Sequence, residues 1–130
     1  MIKATDLRIG NYVKDKKYPI TYKVTAIGEN GGWMQVTDEF EDIDSAIEKL
    51  EPIPLTEEWL IKLGLIKDEW SYTFPINGGN TAYSIECYGD KFGFAYGGEV
   101  TKETWITSVS QLQNLYYFLT GEELVLNKIN

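Results

Sequence analysis

The stretch Ile20-Thr21-Tyr22-Lys23-Val24-Thr25-Ala26-Ile27-Gly28-Glu29-Asn30-Gly31-Gly32-Trp33-Met34-Gln35-Val36 decides the fold class. Ile20 to Ala26 alternates in polarity, which puts Ile20, Tyr22, Val24 and Ala26 on one face of a half-buried strand. Glu29-Asn30-Gly31-Gly32 is a strong turn signal, so Trp33 to Val36 is expected to return antiparallel. Upstream, Gly10-Asn11 punctuates the chain before Tyr12-Val13, and Asp15-Lys16-Lys17 with Pro19 makes a polar hairpin tip. The first third therefore reads as an antiparallel β meander, of the curled kind seen in SH3-like barrels.

Asp38 to Asp44 holds five carboxylates in seven residues, broken only by Phe40 and Ile43. Ser45 to Leu50 fits either a short helix or the last strand of the barrel, since periodicity alone does not separate them. Glu51-Pro52-Ile53-Pro54-Leu55 is extended, because each proline disfavours helix at the residue before it. Thr56 is a good N-cap, Glu57 and Glu58 suit the positive end of a helix dipole, and Gly64 fits the position just past the C-cap. A short helix is expected there, with Leu65 and Ile66 folding back onto it.

Trp70 to Phe74, Thr81 to Tyr88, Lys91 to Tyr96 and Val100 to Thr107 read as a second group of strands. Gly93 and Ala95 leave one face of the third nearly bare, the kind of face that lies under a close-packed helix. Ser108 with Gln111 forms a capping box, and Val109, Leu112, Leu115, Tyr116 and Leu119 share one helical face up to Gly121. The expected architecture is α+β: an N-terminal meander, a short middle helix, and a second antiparallel sheet packed by a C-terminal helix. One compact domain over residues 1–130 is expected, with subregions 1–51 and 52–130, since 130 residues is an ordinary domain length.

Composition removes many functions. The chain has no histidine, one cysteine and a net charge of −8. Histidine-based general-base and triad catalysis are therefore impossible within the chain, as are histidine- or all-thiolate zinc sites. With a single arginine and this charge, direct binding to a phosphate backbone is not expected. No run approaches the roughly 20 apolar residues of a membrane span. The first residues lack the apolar core of a secretory signal, and Cys87 has no disulfide partner within the chain, so a cytoplasmic location is expected.

Each candidate site has a simpler counterpart. Asp38, Glu39, Glu41, Asp42 and Asp44 are a partner-binding surface if exposed together, and otherwise an ordinary solvated charge run. They lack the ligand order of a calcium loop, so no metal or other cofactor is assigned. Cys87 reads as a small buried hydrophobe, because no histidine can activate it. Tyr72, Phe74, Phe92, Phe94 and Tyr96 form an aromatic stripe that suits a core better than a base-stacking platform. Glu86, Glu99 and Glu103 offer carboxylates but no readable catalytic pairing, and no catalytic residue is assigned.

Three stretches carry a family likeness: Asp6-Leu7-Arg8-Ile9-Gly10-Asn11-Tyr12-Val13, Pro52 to Leu60 with Lys62-Leu63-Gly64, and Gln111 to Leu124. Together they resemble a group of small uncharacterised proteins encoded by phages, prophages and mobile elements of Bacteroidetes. Members of that group often carry a histidine where this chain has Ser110. The resemblance implies an origin and a compartment and brings no catalytic residue with it. The leading expectation is a non-enzymatic interaction module whose acidic surface engages a host or phage protein. The alternatives are a small carboxylate- or divalent-metal-dependent enzyme and an inhibitor that mimics nucleic acid; homodimerisation stays open.

Overall fold

The computed structural model describes residues 6–28, 31–38, 40–69, 71–74, 83–96 and 99–126, with the side chains at 96 and 99–104 outside that description. Packing divides the chain into two compact units, Met1–Pro54 with Ser108–Leu115, and Leu55–Thr107 with Tyr116–Asn130. Sequence order alone groups residues 108–115 with the second region; packing groups them with the first. The architecture is α+β, with two antiparallel sheets, a short helix and a C-terminal helix.

The first unit contains β1 (Tyr12–Asp15), β2 (Thr21–Ile27), β3 (Trp33–Thr37), β4 (Asp42–Ala46) and β5 (Leu50–Pro52), ordered β4-β3-β2-β1-β5. A 3-10 turn at Ile47–Lys49 precedes β5, which returns to pair with β1. The segment Ser45 to Leu50 is thus strand end, turn and strand start in succession. This is the strand order of an SH3-like meander.

Alternation along β2 breaks before its end. Val24 pairs with Val36, but the next partners are Ala26 with Gln35 and Ile27 with Met34. The extra residue is a β-bulge, which flips the faces beyond it. Ile27, rather than the expected Ala26, packs against the core of Val13, Tyr22, Val24, Met34, Val36 and Leu50. Thr25 stabilises the irregularity by donating its hydroxyl to the Gln35 carbonyl at 3.1 Å.

The second unit opens with α1 (Glu57–Lys62). Thr56 accepts the Trp59 backbone N–H at 3.3 Å, which satisfies one of the orphan donors of the first turn. At the other end Gly64 adopts φ +89°, where a side chain would be strained. That conformation lets Gly64 N–H reach the Ile61 carbonyl and Leu65 N–H the Leu60 carbonyl, a Schellman closure. Leu65 is buried as expected, but Ile66 does not fold back onto α1. It is 62% exposed and starts β6 (Ile66–Lys67), the edge of a second sheet.

That sheet runs β10-β9-β8-β7-β6, with β7 (Ser71–Thr73), β8 (Tyr83–Tyr88), β9 (Lys91–Tyr96) and β10 (Glu99–Trp105). The residues Lys67, Tyr72, Ile85 and Phe94 follow one another across four strands, so they lie on one face. Phe74, Tyr83 and Phe94 cluster on that face with ring centroids 5.9–6.3 Å apart. From α2 (Val109–Thr120), Tyr116 meets Phe74 edge-on at 5.2 Å. Helix contact is made on the aromatic face, where ring area supplies the burial, and Ala95 on the opposite face is fully buried as well.

Candidate functional site

The acidic run is split between a turn and an edge strand. The Asp38 carboxylate accepts the N–H of Phe40 at 2.7 Å and that of Glu41 at 3.0 Å, which closes an Asx-type turn. The Thr37 hydroxyl donates to the Glu41 carbonyl from the other side of the turn at 3.1 Å. Those two backbone donors to Asp38 hold its carboxyl below the usual range, since they favour its charged form. Phe40 stands at the tip and is 88% exposed.

Asp42 and Asp44 lie in β4, paired with Thr37 and Gln35 on β3. Ile43 between them packs towards the core, so both carboxylates point to the outer face. Charged side chains on a sheet edge also discourage another strand from pairing there. The structure thus places Asp38, Glu41, Asp42 and Asp44 on one hairpin with Phe40 at its tip; Glu39 lies outside the described residues.

The carboxylates considered for catalysis fall elsewhere. Glu86 accepts the Tyr88 hydroxyl at 2.8 Å, and this bond raises the Tyr88 pKa. The side chains of Glu99 and Glu103 lie outside the described ones. Among the described residues, no three His, Cys, Asp or Glu side chains are placed to hold a metal ion. No described helix is long and apolar enough to cross a membrane.

The second unit also contains a cleft of about 150 Å³ that the residue pattern did not suggest. Its carboxylates are Glu57, Asp68 and Glu69, opposed by Lys67. Ser71, Tyr72 and Cys87 complete the lining. Cys87 is half-buried at the cleft rather than enclosed in the core. Burial first, and then the charge and hydrogen bond of Glu57, push its thiol up to about 11 from an ordinary 9.0. A thiol that holds its proton so firmly is a poor nucleophile at neutral pH. The pairing Ser71–Glu86, Tyr72–Ile85 and Lys67–Tyr72 sets Lys67, Tyr72 and Cys87 on one face, a register that local alternation does not carry. Glu57 arrives from a separate element and had no signal either.

The resemblance-bearing stretches at the start and near the end meet in a buried polar network. The Asn11 amide donates to Asn114 Oδ1 at 2.9 Å, and Arg8 Nε donates to the same oxygen at 2.9 Å. Gln113 donates to the Gly10 carbonyl at 3.0 Å and accepts from the Tyr12 N–H at 2.8 Å. Asn11 and Gln113 are fully buried. These residues tie strand and helix together and are spoken for by the fold. No family model matches the chain, and no curated protein or solved structure matches it either.

Proposed function

We propose that this chain is a cytoplasmic interaction module of phage or prophage type, which docks to a host or phage protein through the tip of the β3–β4 hairpin. The observation that carries the proposal is the exposure of Phe40, 88%, on a turn held by two hydrogen bonds to Asp38. An aromatic ring on a pre-ordered turn loses little conformational freedom on docking, which is how interface anchors gain affinity. The carboxylates of Asp38, Glu41, Asp42 and Asp44 on the same hairpin define the complement: an apolar pocket rimmed by lysine or arginine. Electrostatic attraction of that kind speeds encounter and selects against acidic partners.

Affinity capture from lysate followed by mass spectrometry tests this. The wild type, Phe40→Ala, and a variant with Asp38, Glu41, Asp42 and Asp44 changed to Asn or Gln are compared. A partner retained by the wild type and lost from both variants supports the proposal. Retention indifferent to both changes, or no specific partner at all, overturns it.

A further inference from the structure

We propose that the cleft beside Tyr72 binds a primary alkylammonium group, seated between the Tyr72 hydroxyl oxygen and the Glu57 carboxylate. Tyr72 is 2% exposed, and its hydroxyl has no hydrogen-bond partner among the described residues. Buried hydroxyls are nearly always paired, so an orphan on a residue that lines a cleft points to a group that enters and pairs with it. Three carboxylates, Glu57, Asp68 and Glu69, face one ammonium, Lys67, so the lining selects a cation. The Glu57 carboxylate offers several lone pairs on the same cleft, and the Tyr72 oxygen can accept as well. The lining is therefore rich in acceptors and suits a ligand with several N–H donors on one charged atom. The volume, about 150 Å³, admits a short alkyl chain behind that group.

Burial, followed by the charge of Glu57, raises the Tyr72 pKa, which keeps the hydroxyl neutral and able to receive a cation without a second buried charge. A metal ion is the weaker candidate, because no three suitable ligands converge among the described residues.

The test is titration of the ¹⁵N-labelled protein with n-butylammonium chloride, followed through the amides of Tyr72 and Cys87. Parallel titrations use n-butanol, tetramethylammonium, and Nα-acetyl-lysine N-methylamide. The expected result is a saturable shift with n-butylammonium and none with n-butanol or tetramethylammonium, which lack the charge or the N–H donors. Tyr72→Phe, which should fold at least as stably, is expected to weaken binding at least tenfold, and Glu57→Gln likewise. Tighter binding of the lysine derivative assigns the ligand as a lysyl side chain, and tighter binding of n-butylammonium assigns a free amine. Absence of saturation, equal response to either control, or undiminished binding by Tyr72→Phe overturns the proposal.

Discussion

Gln113 accepts the backbone N–H of Tyr12 at 2.8 Å across 101 residues of sequence, while donating to the carbonyl of Gly10 at 3.0 Å. One side chain of the C-terminal helix thereby satisfies both a donor and an acceptor at the start of β1. Gln113→Ala leaves the buried Tyr12 N–H and the part-buried Gly10 carbonyl without that partner. The expected cost is about 2–3 kcal/mol, from the penalty for orphaned buried polar groups, read as a lower urea midpoint. Gln113→Glu should also destabilise, because its carboxylate cannot donate to Gly10.

The Cys87 thiol at about 11 makes alkylation slow at pH 8, and Glu57→Gln should speed it severalfold by removing the charge that raises the pKa. Iodoacetamide kinetics followed by mass spectrometry read this directly. Between pH 9 and 11 the unfolded thiol loses its proton while the folded one keeps it. The folded state then binds more protons, so stability falls as pH rises through that window. Cys87→Ala is expected to flatten that part of the stability curve.

Asp38→Ala removes the acceptor that closes the β3–β4 turn, and amide exchange at Phe40 and Glu41 should quicken severalfold. Asp38→Asn keeps an oxygen in place and should stay close to wild type. Because the Asp38 pKa is lowered in the fold, the turn bonds persist above the ordinary carboxylate range and weaken only as pH falls below it. Exchange protection, corrected for the intrinsic rate at each pH and followed downward from pH 6, reads the loss of these bonds.

The indole of Trp33 lies against Gly28, where an added Cβ would come within 2.5 Å of the ring nitrogen. Gly28→Ala should displace the ring, which is already 49% exposed, rather than break the strand pairing. A changed Trp33 fluorescence contribution, isolated by comparison with Trp33→Phe, checks this. The stability loss should stay below about 1.5 kcal/mol, because an exposed side chain can move aside.

Much of the local structure is legible in particular residues. Thr56 and Gly64 bracket α1, and Ser108 starts α2 by accepting the Gln111 N–H at 3.2 Å, because caps and closures depend on neighbouring residues. The acidic run was visible as a candidate surface, but its division into an Asp38-closed turn and a β4 edge was not, since pairing partners supply that information. The bulge after Val24 was equally hidden. Alternation continues through Thr25 in sequence, and only the partner strand shows that one residue has no opposite number.

The sequence by itself determined the class of fold and the chemistry that is absent: with no histidine and one cysteine, whole families of mechanism are closed whatever the conformation. Those conclusions follow from residue identity and short-range pattern. Tertiary structure alone decided that Arg8, Asn11, Gln113 and Asn114 share one buried network, and that Glu57 meets Cys87 and Tyr72 at a cleft. Such groupings arise from long-range strand pairing and packing, in which residues distant along the chain are brought close to bury apolar surface, and local patterns carry no record of those partners.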